Sequence, residues 1–333
     1  MELEIHAAIV HVLDTALDTP VLSEASLTLS DDAIAYFTAH LTKLYAGEET
    51  RSAVLSDDSS LAPLLWNLDE NFVQRTSTIA RDWFAILAQN PAIPAGDVAF
   101  VLADMDGAEV LCALKLNYKT GYVHFFATDE NGHAVNDIVR QNMLLPGTGG
   151  KADEAFFIAT QTRAVRVLEK QYEIDGHKST YLAQKLLCCR AKGLSAKETL
   201  SVIKEAAAQV NQQFYGNIGV EESDLAAAVC EEYHTAKADG APVPASRICE
   251  KLYGDMPHAK EAFENALAEH EISMDLPLPL TPPAVRRMEK QSLRSGDGVE
   301  IKVPVSLYKD SAAVEFIHNA DGSTSLLVKN ILI

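Results

Sequence analysis

The sequence predicts an α+β protein: an N-terminal, mainly antiparallel sheet with covering helices, a helical middle, and a C-terminal antiparallel β-meander. Three observations support this fold class. Short apolar runs separated by turn residues fill residues 97–172, helical periodicity dominates residues 178–270, and alternating segments return after residue 299. A chain of 333 residues with 47% hydrophobic content is long enough for two domains or one elaborate one.

The chain begins with a predicted hairpin. Residues 2–13 alternate apolar and polar side chains, residues 21–29 do so again, and the turn residues Asp18-Thr19-Pro20 lie between them. His6 and His11 are five apart in the first strand, hence on opposite faces, so joint metal binding there is excluded.

Two helices should cover the sheet. Ser30 is an N-cap for the first, which ends near Tyr45, and Pro91 ends the second, which spans residues 71–90. Tight turns between the strands favour antiparallel pairing, so residues 1–176 are predicted to form one α+β domain. The predicted strands of this sheet are residues 97–104, 108–116, 122–127, 155–160 and 164–172.

A helical region is predicted for residues 177–273. Its first part contains two amphipathic helices, because Leu182, Leu186 and Cys189, and then residues 200–214, repeat apolar side chains at intervals of three and four. Ser195 and Glu198 have the spacing of a capping box at the start of the second helix. Acidic and amphipathic segments at residues 221–238, 242–254 and 258–270 extend the helical region.

The C-terminal part changes character twice. Residues 274–298 are rich in proline and then basic, which is typical of an extended connector. Residues 299–307, 312–318 and 324–331 alternate as strands, so residues 299–333 are predicted to form a β-meander.

Charge is distributed unevenly along the chain. The 28 basic and 47 acidic residues give a net charge of −19, which should repel nucleic acid and anionic membranes. Residues 1–150 hold 7 basic and 21 acidic side chains and residues 221–333 hold 11 and 19, whereas residues 151–220 hold 10 and 7. The middle is therefore the only net-basic part.

Four common nucleotide-binding, hydrolase and zinc-protease motifs are missing from the sequence. It has no P-loop, GxGxxG, GxSxG or HExxH motif, and the glycine-rich residues 144–150 lead into a strand rather than a phosphate-binding helix. His124, Asp129, His133 and Asp137 form the densest set of possible metal ligands, but TDENGH is also an ordinary turn. We therefore expect no catalytic residues, cofactor or metal, and keep a metal-dependent enzyme as a minor alternative.

The protein is expected to be cytoplasmic. Its first residues are acidic where a signal peptide is basic, and no apolar run approaches the length of a membrane span. The five cysteines are odd in number and lack CxxC spacing, so neither disulfides nor structural zinc is expected.

Three segments carry a family resemblance. The start EIHAAIVHVLD with PVLSEASLTLS, the central KSTYLAQKLLCCRAKGLSAKE, and the closing GVEIKVPVSLYKDSAAVEFIHNADGSTSLLVKNI resemble the bacterial nucleoid-associated protein family that includes YejK, also called NdpA. The resemblance spans nearly the whole chain. It implies a cytoplasmic protein found with the bacterial nucleoid and credited with DNA binding, with no known catalytic activity or cofactor.

The resulting hypothesis, which rests on the charge segregation together with the resemblance, is a non-catalytic nucleoid-associated protein that binds double-stranded DNA through phosphate contacts, largely independent of sequence. A homodimer is expected, since two copies double the contacts. The alternative is an acidic adaptor that reaches the nucleoid by binding a basic or DNA-handling protein. The candidate DNA-binding residues are Lys178, Lys185, Arg190, Lys192, Lys197, Lys204, Arg286, Arg287, Lys290 and Arg294.

Overall fold

The computed structural model describes residues 2–150, 152–174, 176–215, 220–308, 310–320 and 322–329. The chain divides into two compact units, Met1–Gly193 and Leu194–Ile333. This division falls later than the boundary predicted after residue 176. Lys151, which follows the glycine-rich loop, and Ile331, the predicted end of the last strand, lie outside the described residues.

An antiparallel sheet forms the centre of the first unit. Seven strands join in the order β1-β3-β4-β7-β8-β2-β11, and every neighbouring pair is antiparallel. The mainly antiparallel N-terminal sheet is thus confirmed. The strands of the unit are β1 (Leu3–Leu13), β2 (Arg51–Leu55), β3 (Gly96–Met105), β4 (Ala108–Asn117), β5 (Lys119–Thr128), β6 (Ala134–Leu144), β7 (Glu154–Ala159), β8 (Ala164–Leu168), β9 (Tyr172–Ile174), β10 (His177–Ser179) and β11 (Cys189–Lys192).

Helices cover both faces of this sheet. Helix α1 (Asp31–Tyr45) packs on one face and α2 (Phe72–Gln89) on the other. Alternate residues of a strand point to opposite faces, so in β3 Phe100 joins the α2 side while Val101 joins the α1 side. Both predicted helices are confirmed, and the Ser30 side chain accepts a hydrogen bond from the Ala33 amide as a cap should.

A buried ion pair lies beneath α2. Lys115 of β4 and Glu154 of β7 are register partners, both fully buried, with Nζ and Oε2 3.1 Å apart. The ammonium also donates to the Pro94 carbonyl at 2.7 Å and to Asn117 Oδ1, and Tyr172 donates to the Glu154 carboxylate at 3.3 Å. Burial lowers the pKa of Lys115 and raises the pKa of Glu154, and their mutual attraction opposes both shifts.

The predicted N-terminal hairpin is only partly formed. Strand β1 is confirmed, but residues 21–29 make no continuous ladder with it. Val21 forms a single isolated bridge to Val12, and the Leu27 amide donates to the Ala8 carbonyl. Strand β3 takes the position beside β1 instead, because its long apolar run supplies ten register partners.

The first of the two amphipathic helices predicted at the start of residues 177–273 is wrong. Residues 177–192 form the short strand β10, a one-turn π-helix at Leu182–Leu186, and the edge strand β11. The apolar residues that suggested a helix, among them Leu182 and Leu186, fill the core beneath α2. Cys188 has a positive φ of 53°, which ends the turn and lets β11 pair with β2.

Strands β5 and β6 form a separate two-stranded ribbon. Strand β5 was predicted at residues 122–127, whereas β6 was missed because its residues show no buried face. We call residues 119–144 the exposed ribbon.

Helices form most of the second unit. The predicted capping box of α3 is confirmed: Ser195 Oγ accepts from the Glu198 amide at 3.3 Å, and the Glu198 carboxylate accepts from the Ser195 amide at 3.0 Å. Val210, Val229 and Phe263 lie in the shared core. The helices are α3 (Ala196–Phe214), α4 (Glu222–Asp239), α5 (Ala245–Tyr253), α6 (Pro257–Ala268), α7 (Pro282–Met288) and α8 (Val305–Tyr308).

The predicted extended connector is wrong in its second half. Residues 274–298 contain α7 and the strand β12 (Lys290–Arg294). The prolines do not prevent the helix, because Pro282 and Pro283 lie at its start, where the backbone amide has no helical hydrogen-bond partner to lose. Strand β12 pairs with β13 (Glu300–Pro304), and β14 (Val314–His318) pairs with β15 (Thr324–Val328). The C-terminal strands are antiparallel as predicted, but they form two pairs in place of one three-stranded meander.

Candidate nucleic-acid interface

The four basic candidates of the first unit lie on three elements, since Arg190 and Lys192 share β11. Lys178 is exposed on β10, opposite Glu173, and Lys185 is exposed on the π-helical turn. Arg190 lies 3.4 Å from Asp57, measured from Nη1 to Oδ2. No helix joins Lys185 to Lys192, so these two candidates do not lie on one helix face.

Lys192 has a structural contact. Its ammonium donates to Glu169 Oε1 at 2.8 Å and to Thr180 Oγ1 at 3.2 Å, and 21% of the lysine side chain and 4% of the glutamate side chain are exposed. A phosphate would have to displace a nearly buried carboxylate, so Lys192 is a poor DNA contact.

Two candidates lie on α3, in the second unit. Lys197 and Lys204 are both exposed, seven residues apart on one helix. Lys204 Nζ lies 2.5 Å from Glu222 Oε1 on α4. Because both partners of this pair are exposed, the pair contributes little stability and can exchange with solvent ions.

The remaining four candidates share one continuous segment. Arg286 and Arg287 are exposed in the last turn of α7, and Lys290 and Arg294 are exposed on β12. Cations in a last helical turn are favoured by the helix dipole. We call residues 282–304 the basic hairpin segment; it contains five basic and three acidic residues.

The register of β12 and β13 adds a basic residue that the sequence did not suggest. Ser292 pairs with Lys302 and Arg294 with Glu300, so Lys290, Arg294 and Lys302 point from the same face of the hairpin. Recognising Lys302 required the strand register, although the alternation in EIKVP was visible in the sequence.

The two faces of this hairpin differ in character. On the inner face Val303 is buried at 4% exposure. On the outer face Lys302 and Arg294 have side-chain exposures of 62% and 78% and lie 3.8 and 4.0 Å from the Glu300 carboxylate. Such exposed ion pairs contribute roughly 0–1 kcal/mol, so an incoming phosphate can replace Glu300 at little cost.

The other candidate groups do not converge on a site. His124 points from the opposite face of the exposed ribbon to Asp137, and the Asp129 carboxylate contacts His133 Nδ1 at 3.1 Å at the turn. Within the described residues, no three His, Cys, Asp or Glu side chains are placed to bind a metal ion. The glycine-rich loop is fixed from outside, since the Lys43 ammonium donates to the carbonyls of Gly149 and Gly150 at 3.2 and 3.0 Å.

A surface groove of about 870 Å³ lies on the first unit. Trp66, which is 75% exposed, lines it together with Asp57, Glu109 and Arg163. The Arg163 guanidinium donates to Asp57 at 2.8 Å, so the cation of this groove is already neutralised. The groove therefore does not favour a phosphate ligand.

None of the helices in the described part of the chain is both long and apolar enough to cross a membrane. A comparison with curated proteins gives no match. A comparison with protein families, in contrast, gives a match over residues 9–332 to the family NA37, nucleoid-associated protein YejK. This match covers nearly the whole chain, and the protein therefore belongs to the YejK family of nucleoid-associated proteins.

Proposed function

We propose that this nucleoid-associated protein binds double-stranded DNA through phosphate contacts, with little reading of base sequence and without catalysis. The observation that carries the proposal is the outer face of the basic hairpin segment, where Lys290, Arg294 and Lys302 are exposed on one side of a two-stranded sheet. Family membership supports the nucleoid role.

The spacing of these side chains suits a backbone contact. Lys290 and Arg294 are four residues apart on one strand, about 14 Å at ~3.4 Å per residue. Flexible lysine and arginine side chains at this spacing can reach several phosphates of a duplex without entering a groove. Arg286 and Arg287 precede the strand directly and extend the same basic segment.

The high acidity of the chain determines how such binding should behave. With a net charge of −19, the protein is repelled by DNA at long range, so affinity depends on a few local contacts. Each neutralised phosphate contributes a slope of about −0.9 to log K against log salt. Three contacts give about −2.7, so a fourfold rise in salt weakens their binding roughly 40-fold.

The test is binding of the full chain to a short random-sequence duplex at ~50 and ~200 mM salt. The triple variant Lys290→Glu, Arg294→Glu, Lys302→Glu should bind far more weakly, with a salt slope shallower by about 2.7. A charge-matched control reverses three other exposed basic residues, Lys170, Lys237 and Arg247. The control has the same net charge and should keep the slope of the natural sequence.

A second comparison separates the two units. Reversing Lys178 and Lys185, two exposed basic candidates of the first unit, should have a smaller effect than reversing the basic hairpin segment. Equal losses from the triple variant and the charge-matched control would contradict a local contact. Absence of binding at low salt would favour the acidic adaptor, which reaches the nucleoid through a protein partner.

A further inference from the structure

The exposed ribbon is a second surface, and the proposed DNA contact does not use it. Strand β5 has 10 residues and β6 has 11, they pair only with each other in the described part of the chain, and every residue of the two strands except Gly121 is exposed. At ~3.4 Å per residue the ribbon is about 35 Å long. An isolated two-stranded hairpin is marginally stable in water, so a ribbon of this length needs a partner surface.

The base of the ribbon is fixed to the first unit. Just before β5, the Tyr118 hydroxyl donates to Asp97 at 2.7 Å. Just after β6, the Pro146 carbonyl accepts from the Tyr36 hydroxyl of α1 at 2.8 Å. Both ends of the ribbon are therefore held to the first unit by hydrogen bonds.

Both faces of the ribbon are apolar at their centre. The register places Tyr122, Phe126 and Ile138 on one face, with exposures of 70%, 71% and 71%. Phe125, 57% exposed, and Val139 lie on the other face. Soluble monomers seldom expose a continuous apolar patch of this size.

The charge of the ribbon disfavours DNA as the occupant. Residues 119–144 contain Lys119 and Arg140 against Asp129, Glu130 and Asp137, so the ribbon is net acidic. A phosphate backbone would meet no basic surface there, in contrast to the basic hairpin segment.

We propose that the exposed ribbon is the contact surface between two copies of this chain, packed face to face about a two-fold axis with the two ribbons running in opposite directions. A two-fold contact uses the same patch on both copies, and the face centred on Phe126 and Ile138, which has the most exposed apolar side chains of the ribbon, suits such a patch. The antiparallel arrangement places the tip of each ribbon at the base of the other.

Two observations favour a second copy over another protein. Three large apolar side chains of the packed face, Tyr122, Phe126 and Ile138, expose on the order of 450 Å², more than half of the ~800 Å² per partner of a standard interface, and the polar residues of the same face extend this area. The charges are also self-complementary in the antiparallel arrangement, since the acidic tip (Asp129, Glu130) would meet Lys119 at the base of the partner copy's ribbon.

The first test is sedimentation equilibrium of the full chain over ~0.5–50 μM, a range that resolves a micromolar dimer. The natural sequence should be dimeric. The variant Phe126→Ser, Ile138→Ser should raise the dimer dissociation constant ~100-fold or more, because it removes two central apolar contacts. The matched control is Trp66→Ser, which removes an equally exposed aromatic side chain outside the ribbon and should stay dimeric.

The substituted side chains are exposed in a single copy, so circular dichroism of both variants should match the natural sequence. A natural sequence that is monomeric throughout this range would overturn the proposal and leave another protein as the occupant. A serine double variant that dimerises as tightly as the natural sequence would overturn it as well.

A charge exchange tests the direction of the ribbons. Glu130→Lys and Lys119→Glu should each weaken the dimer, and the double variant should restore it, because each tip again meets a base of opposite charge. A double variant as weak as the sum of the singles would overturn the antiparallel arrangement.

Discussion

The buried pair of Lys115 and Glu154 gives the sharpest prediction for the stability of the first unit. Lys115→Met keeps the length of the side chain but leaves the Glu154 carboxylate buried without its counter-ion. Breaking a fully buried pair in this way costs about 3–5 kcal/mol, because the remaining charge stays desolvated. We expect a loss of that size in the free energy of unfolding.

The double variant Lys115→Met, Glu154→Leu is the control for this reasoning. With neither charge present, no buried charge is left unpaired, and only neutral partners such as Pro94 and Tyr172 lose a hydrogen bond, so the stability should return to within about 2 kcal/mol of the natural sequence. The single variant should therefore be the less stable of the two, although it carries fewer changes.

Urea unfolding followed by tryptophan fluorescence measures this effect. The chain has two tryptophans, Trp66 and Trp83, and both belong to the first unit. Trp83 stacks on Phe156 and donates to the Tyr181 hydroxyl at 2.9 Å, close to the buried pair. A cost below about 1 kcal/mol for Lys115→Met, or a double variant as unstable as the sum of the singles, would refute the argument.

Two further predictions concern single side chains. Burial lowers the pKa of His11 to about 4 from 6.5, and its Nδ1 accepts from the Ser23 amide, which requires the neutral ring. Between pH 6.5 and 4 the folded state therefore binds fewer protons than the unfolded state, so the free energy of unfolding of the first unit should fall by about 3 kcal/mol over this range. Urea titrations at several pH values should show a much smaller fall in His11→Gln. A variant with the same pH dependence as the natural sequence would contradict this prediction. Ser195→Ala removes the cap of α3 and should lower the free energy of unfolding by about 1 kcal/mol. Urea unfolding followed by circular dichroism measures this loss, and Ser201→Ala, which changes an exposed serine of the same helix, is the control. Equal losses in both variants would argue against capping.

Sequence patterns predicted the elements whose signals are local. Ser30 and the pair of Ser195 and Glu198 marked helix starts because capping depends on residues three positions apart. The apolar runs of β3 and β4 were also clear, since both faces of these strands are buried.

Elements that depend on distant partners were missed. Strand β2 is five residues long and is recognisable only through its neighbours β8 and β11. Residues 182–187 showed helical spacing, yet tertiary packing beneath α2 placed them in a turn. Local periodicity does not predict when pairing at a sheet edge will be favoured over helix formation, because that pairing depends on residues far away in the chain.

The candidate interface shows the same limit. The basic residues of the segment were visible in the sequence, but the ion pairs of Lys192 with Glu169 and Lys204 with Glu222 join residues far apart in the chain. Pairing of this kind decides which cations can reach a phosphate. The contribution of Lys302 likewise depended on the register of two strands.

The strand order of the first unit also determines when that unit can fold. Strand β2 is made early in synthesis, yet its two neighbours in the sheet, β8 and β11, come more than a hundred residues later. Closing such a long loop costs conformational entropy before any pairing is gained, so this edge should form late and slowly. Until the ribosome has released residue 192, β2 has an unpaired edge that can join another chain. Expression of a fragment that ends at residue 176 would make that exposure permanent, whereas one that ends at residue 193 retains the strand that covers it.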